Sequence, residues 1–570
     1  MKTRSVYFLV LLMNSQSAIG QLTHDKKSLI FTRADTLRGM LTPLRSCYDV
    51  NYYHLDIKVN PETKFIEGSN RIRFHVVKGF EKMQVDLFEN MEIEKIILDG
   101  MDSLPYEREH NAVFIQLPKE LKKNSEHEIT VFYSGKPIGA KRPPWEGGFT
   151  WTHDKEGNPW VAVTCQGIGA SLWWPNKDHQ SDEPDSMMIS VTVPEGLMDV
   201  SNGRLRSKVS LPDGWTRYDW FVSYPINNYN VTLNVGKFAH FSDYYVHGDT
   251  LPLDYFVLPE NLEKARIQFQ QVKPMLTCFE RFFGKYPFRN DGYKLIESPY
   301  LGMEHQSAVA YGNHYLQGYN GRVSSEVGPS SDIGLKFDFI IVHESAHEWW
   351  GNSVTSKDIA DMWIHESFAA YAEALYVECR FGYNEALDYI NAKKFAIANT
   401  KPIIGVYGVN NQGARDMYNK GQLVLHTLRS VISNDSLWFS IIRGLATTFR
   451  YQTITADDVI HYVNERSGTD HTYFFDQYLK CAGIPRLEVY VTKKADSISA
   501  RYKWDADVPD FRMPVKVTTS AEKYEFIYPT TTWQTMKLGP IDPREFRIAD
   551  DLFYVDLKLN WVYLDPNKSD

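Results

Sequence analysis

The chain lacks the marks of three common protein classes. Beyond its first twenty residues no run approaches the ~18 consecutive apolar residues that a bilayer span needs, so no stable membrane span is expected. No cluster of lysines and arginines occurs, and the formal net charge is −9. A mildly acidic chain of this kind is not expected to bind nucleic acid. The five cysteines, Cys47, Cys165, Cys278, Cys379 and Cys481, lie far apart and contain no C-x-x-C. They make no zinc ribbon and no disulfide framework, and an odd number cannot pair completely. Most are expected to be buried thiols; whether any two are bonded is left open. No internal repeat and no low-complexity tract is found.

Apolar residues make up 43% of the chain and aromatic residues 14%, enough for large cores. Lys2 and Arg4, the apolar stretch 6–13 and the small residues around 18–20 read as a secretory signal peptide. That predicts an exported protein, periplasmic or secreted, of about three domains. Residues 21–46, polar and of mixed charge, read as an arm or linker. Residues 47–258 alternate with period two, as in 53–59 (YHLDIKV) and 128–133 (EITVFY), and predict an antiparallel β domain. Residues 259–486 turn helical, with a capping box at Thr455 to Asp458. Alternation returns over residues 487–570 and predicts a small β-sandwich. The fold class is multidomain α+β.

The most informative stretch is HESAHEWWGNSVTSKDIADMWIHESFAAYAE, from His343 to Glu373. His343, Glu344 and His347 form H-E-x-x-H. Positions four apart lie on one helix face, so the two imidazoles can share a metal ion. Glu366 can supply a third ligand. Two His and one carboxylate leave a position open, as in a catalytic zinc site. Residues 337–342 (FDFIIV) are apolar nearly all round, so the helix is expected to be buried. Two His and two Glu buried with it need pairing or a metal. Gly351 offers a helix stop. Glu373 lies two turns beyond Glu366 on the same face, where it could bond to a ligand His from outside the metal shell.

Three more pieces are weaker alone. Glu304, in Leu301-Gly302-Met303-Glu304-His305, reads as a solvated carboxylate or as a site for a substrate cation. Tyr418 could donate to an oxyanion, but the chain has 34 tyrosines and packing explains most of them. Cys165-Gln166-Gly167 followed by Trp173-Trp174-Pro175 signals a turn and an aromatic cluster.

Together these pieces resemble peptidase family M1, the zinc aminopeptidases of the aminopeptidase N and leukotriene-hydrolase type. H-E-x-x-H with Glu eighteen residues on is similar to the family's metal signature, Trp363 to Glu366 to its W-x-N-E, residues 301–305 to its G-x-M-E-N, and Tyr418 to Gly421 to its Y-x-K-G. Gln166 aligns with a residue that reaches in from the N-terminal domain. The resemblance implies a saddle-like β domain, a thermolysin-like, mainly α catalytic domain, and one Zn2+ per chain held by His343, His347 and Glu366. It implies Glu344 as general base, Tyr418 as oxyanion donor and Glu304, Gln166 and Glu366 around the substrate's α-ammonium. Gly302 and Met303 then flank the substrate, and Glu373 supports a ligand His. The implied partners are peptides with a free N-terminus, hydrolysed at the first bond.

The chain departs from the family pattern in places. Leu301 stands for the first Gly of G-x-M-E-N and His305 for its Asn, which puts the first side-chain pocket in question. His365 stands for Asn, about 100° round the helix from Glu366, and is not expected to bind metal. Many members carry a long helical C-terminal domain where this chain has only residues 487–570. The site is then more open, or a second copy in a homo-oligomer covers it. Rival readings are an endopeptidase or epoxide hydrolase on the same scaffold, or an inactive binding scaffold.

Overall fold

A computed structural model describes residues 30–100, 103–322, 332–494, 497–521 and 523–564. The signal-peptide reading of residues 1–20 lies outside these. Residues 33–46, expected as an arm or linker, are folded. Thr32 and Asp35 cap helix Arg33–Gly39 reciprocally, and a single turn, Pro43–Ser46, follows. Arg45 is fully buried and meets Asp86 at 2.6 Å. A buried charge needs such a partner, so the polar composition that suggested a linker instead anchors the segment to strand Phe80–Asp86.

Strand Tyr48–Asn60 is central to a seven-stranded sheet. Leu55, Ile57 and Val59 are buried, and Asp56 and Lys58 between them are half-buried, as the pleat dictates. The strand pairs antiparallel with Phe65–Val76 but parallel with Ser186–Pro194, with Tyr52 opposite Ser186. That parallel pair departs from the antiparallel expectation. A parallel pair needs a long crossover, here the whole of residues 61–185, and short-range alternation cannot reveal it. Trp173 and Trp174 fill the space between this sheet and a four-stranded one. Tyr53 packs on Trp174 at 5.1 Å and Phe149 on Trp173 at 6.0 Å, edge to face.

The expected boundary at 258/259 cuts through one sheet. Strand Asp249–Val257 pairs with Tyr293–Glu297, placing Leu253 opposite Tyr293. Val309–Tyr311 and the two-residue edge strand Gly302–Met303 complete that side. Tyr245, Leu251 and Leu253 belong to the core of the helical half. Strands Ala239–His247 and Asp249–Val257 look like the β domain in sequence because alternation says nothing of which sheet a strand joins.

Helix Phe339–Ala346 runs beneath the edge strand, and all of Ile340 to Ala346 is buried. Asp338 caps it by accepting the N–H groups of Ile340 and Ile341. The regular helix stops at His347, ahead of the Gly351 stop expected from sequence. Gly351, at φ +123°, instead turns the chain toward strand Val354–Ser356. Helix Trp363–Phe381 packs alongside, and helix Asn419–Ile432 packs on that. Gly421 allows the close approach, since a Cβ there would overlap Ser367. A disulfide, Cys278–Cys379, staples helix Val272–Phe283 to Trp363–Phe381, while Cys47 and Cys165 are buried thiols.

The C-terminal strands form a four-stranded and a two-stranded sheet. Val489, Trp504 and Phe553 share one continuous core with Phe474 and Tyr478 of the helical half. Tyr478 donates its hydroxyl to Tyr554 O at 2.7 Å. Among the described residues no helix is long and apolar enough to cross a membrane.

Candidate metal centre

His343 and His347 face each other from successive turns, with Nε2 atoms 3.4 Å apart. Glu366, in the first turn of Trp363–Phe381, brings Oε2 to 3.5 Å from His347 Nε2 and 3.8 Å from His343 Nε2. The opposite ring nitrogens are occupied. His343 Nδ1 donates to Glu373 Oε1 at 2.7 Å and His347 Nδ1 to Trp350 O at 2.9 Å. These bonds place the protons on Nδ1 and leave both Nε2 lone pairs aimed at one point. Glu366 Oε2 is buried there without a hydrogen-bond partner. Two imidazole nitrogens and an orphaned carboxylate oxygen are the donor set of a zinc ion. Glu304, Glu344 and His347 also cluster closely enough for a metal. We assign the ion to the first group, because Glu366 Oε2 is the carboxylate oxygen left buried without a hydrogen bond next to both Nε2 atoms.

Glu373 is itself held from two sides, by the Tyr389 hydroxyl at 2.7 Å and by the buried Lys393 ammonium. Phe339, one turn before His343, stacks on its ring at 5.4 Å. Lys393 and Tyr389 had no sequence signal, lying many residues away with no motif. Phe339 had one: it precedes His343 by four residues on the same face.

Gln166 reaches in from the loop after strand Pro159–Thr164. Its Nε2 bridges Glu304 Oε1 and, at 3.3 Å, Glu366 Oε1. Glu304 follows the edge strand directly, and its carbonyl is held by Asn352 Nδ2 at 2.9 Å. Gly302 and Met303 of that strand line the same cleft. A Cβ on Gly302 would come within 2.8 Å of Glu344 Oε1, so the strand and the Glu344 carboxylate touch through the missing side chain. Tyr418 stacks beside His343 at 6.1 Å. Trp145, 59% exposed, and Arg415 also line the cleft; neither was singled out from sequence.

Three carboxylates thus share one buried space. Burial, then the charges of Glu366 and Glu344, hold Glu304 well above its usual range. Burial lifts Glu344 to about 7, against the pull of His343. Burial opposes ionisation of Glu366 too, but the neighbouring His343 and His347 imidazoles draw it down to about 2. Burial and then Glu366 keep the Tyr418 hydroxyl far above its usual range, so it stays a neutral donor. A site so rich in buried carboxylate calls for cations.

His365 points away from this centre. Its Nε2 accepts the Ser356 N–H at 2.8 Å and its Nδ1 meets the Tyr229 hydroxyl at 3.3 Å, so neither nitrogen is free for a metal. His305 is fully buried behind Glu304, and burial lowers it to about 3, a neutral ring.

Residues 49–229 match the peptidase M1 N-terminal domain and residues 267–478 the peptidase family M1 domain, together most of the chain. A leucyl aminopeptidase of Saccharolobus solfataricus is 22% identical over 78% of this chain and 56% of its own length. Endoplasmic reticulum aminopeptidase 1 of Mus musculus is 24% identical over 52% of this chain and 33% of its own. The chain spans about half the length of the archaeal relatives it matches. An M1 zinc metallopeptidase from Deinococcus radiodurans, bound to a Tyr-Ser-Ala substrate, shares the fold with a TM-score of 0.64. It is 19% identical, over 79% of this chain and 98% of that one. Two matched domains, the second of them holding the zinc-type ligand set, lead to one conclusion: this chain belongs to peptidase family M1.

Proposed function

We propose that the protein is a zinc aminopeptidase that hydrolyses the first peptide bond of peptides with a free N-terminus. The observation that carries this is the Gln166 bridge between Glu304 and Glu366. Two carboxylates joined in this way, one of them on a metal-ligand residue, support a clamp for an ammonium group. A bound zinc ion supplies Lewis acidity and eases deprotonation of water. Glu344, buried and lifted to about 7, takes the proton of the attacking water and passes it to the leaving amine. Tyr418 donates to the oxygen on which negative charge develops. Glu304, with Gln166 and Glu366, holds the α-ammonium through charge-assisted bonds and so sets the register.

The test is a panel of aminoacyl anilides and their N-acetylated forms, with metal analysis. About one zinc per chain is expected, with activity lost to a chelator and no cleavage of the acetylated forms. Glu304→Ala should lower kcat/KM about 10- to 100-fold, the loss of a charged hydrogen bond. Undiminished cleavage by that variant would remove the clamp and favour an endopeptidase or epoxide hydrolase.

Glu373 acts on zinc through His343. Glu373→Gln removes a charge that fixes the ring and raises its basicity, and is expected to weaken zinc binding about 10- to 100-fold. Competition with a chelating dye reads this directly. Unchanged affinity would reduce Glu373 to a packing residue held by Lys393.

Export after signal-peptide cleavage is part of this proposal. The leader-like first twenty residues and the Cys278–Cys379 disulfide support it, since such bonds persist in oxidising compartments. Mass determination of the N-terminus from culture supernatant or periplasm checks it; a chain still starting at Met1 would overturn it.

A further inference from the structure

The loop that carries Gln166 is held by a segment preceding the family-matched residues 49–229. Arg38, in the last turn of helix Arg33–Gly39, donates Nη1 to Ile168 O and Nη2 to Gly167 O, the latter at 3.4 Å. Its guanidinium also lies 3.5 Å from Asp178 Oδ2. From the catalytic half, Asn410 Nδ2 donates to the same Gly167 O at 3.2 Å. The loop closes on itself through Gly169 N–H to Cys165 O, 2.7 Å, and Ile168 N–H to Gln166 O, 2.9 Å. Gly169 has φ +105°, and the Arg38 guanidinium and Asp178 carboxylate fill the space a Cβ would take. Only glycine fits there.

Arg38 is in turn immobilised. Buried Arg45 donates to Arg38 O at 2.7 Å and to Asp86 at 2.6 Å. Asp86 Oδ2 accepts the Asp178 N–H at 3.1 Å, and Asp178 Oδ2 accepts the Ser171 N–H at 3.1 Å. Gly39 lies against the backbone of Val409 and Asn410, with no room for a Cβ. The helix is therefore wedged between loop 165–169 and the loop at 409–410. An unbroken series of hydrogen bonds runs from Asp86 through Arg45 and Arg38 to the turn bearing Gln166.

We propose that Arg38 is a positioning residue of the amine clamp. Its planar fork spans two consecutive carbonyls and a carboxylate. It fixes the turn so that Gln166 Nε2 stays 2.6 Å from Glu304 Oε1 and 3.3 Å from Glu366 Oε1. A lysine offers one point charge and cannot span both carbonyls. This rests on the clamp reading above. Because Arg38 touches neither the zinc ligands nor Glu344, its loss should act on substrate binding and spare zinc content and turnover.

The experiment measures kcat and KM on one aminoacyl anilide for Gln166→Ala, Arg38→Lys and the double variant, with melting and zinc content for each. Arg38→Lys keeps a cation beside Asp178 and so preserves the fold where Arg38→Ala could lose it. Gln166→Ala is expected to raise KM about tenfold, the loss of one charged hydrogen bond. Arg38→Lys should raise KM about threefold to tenfold with kcat within about twofold, and the double variant should be no worse than Gln166→Ala alone, because coupled residues do not add. A wild-type KM for Arg38→Lys, or single effects that multiply in the double variant, would overturn the proposal. So would a lowered melting midpoint with KM unmoved, which makes Arg38 a structural anchor only. Failure of the clamp reading itself appears separately, as an unchanged KM for Glu304→Ala in the same assay.

Discussion

Replacing Glu344 with Gln is expected to lower kcat about 10²- to 10⁴-fold, the usual contribution of a positioned general base, while zinc content stays near one per chain. Glutamine has the same shape, so the contact with Gly302 and the packing under the edge strand survive. What disappears is the proton acceptor. Glu344 lies one residue from a ligand, yet the orphaned oxygen facing both Nε2 atoms belongs to Glu366. Burial holds Glu344 near 7, where it can accept a proton and give it back. Parallel loss of zinc and activity would identify Glu344 as a ligand and shift the metal toward the alternative cluster with Glu304 and His347.

Breaking the Cys278–Cys379 disulfide should have the largest effect on stability. The bond closes a loop of 101 residues. Constraint of the unfolded chain by a loop of that size contributes about 4–5 kcal/mol on the chain-entropy account. The Cys278→Ser/Cys379→Ser double variant, or reduction with a phosphine, should therefore move the melting midpoint down by several degrees. The bond ties helix Val272–Phe283 to the last turns of Trp363–Phe381, whose first turn carries Glu366. Zinc binding and turnover at low temperature should persist, because His343 and Lys393 hold the middle of that helix independently, at Glu373. A melting midpoint that does not move would show that the bond contributes nothing to the folded state's margin.

Much of the metal centre was readable from local pattern. Four-residue spacing on an apolar helix fixes where His343 and His347 point, and the second helix brings Glu366 within reach. The capping box at Thr455 was equally local, and it is present. The clamp was different. Gln166 and Glu304 are 138 residues apart, and nothing in either segment alone names the other. Only likeness to the family pointed to them. The supports of Glu373, Tyr389 and Lys393, carry no pattern. Residues 33–46 were misread because mixed charge suits a solvated linker as well as a buried ion pair, and only the position of Asp86 tells the two apart. Strand Asp249–Val257 was assigned to the wrong layer because its alternation is satisfied by either sheet.

The sequence by itself determined the kind of chemistry: two imidazoles, a carboxylate ligand and a neighbouring base. These follow from helix periodicity, and a helix is built from contacts within one turn. The tertiary structure alone decided what surrounds that chemistry. It gathers Gln166, Glu304 and Glu366 into one buried space and seats the turn of Gln166 on Arg38. Those hydrogen bonds close across more than a hundred residues, and whether they form depends on how the sheets and helices pack.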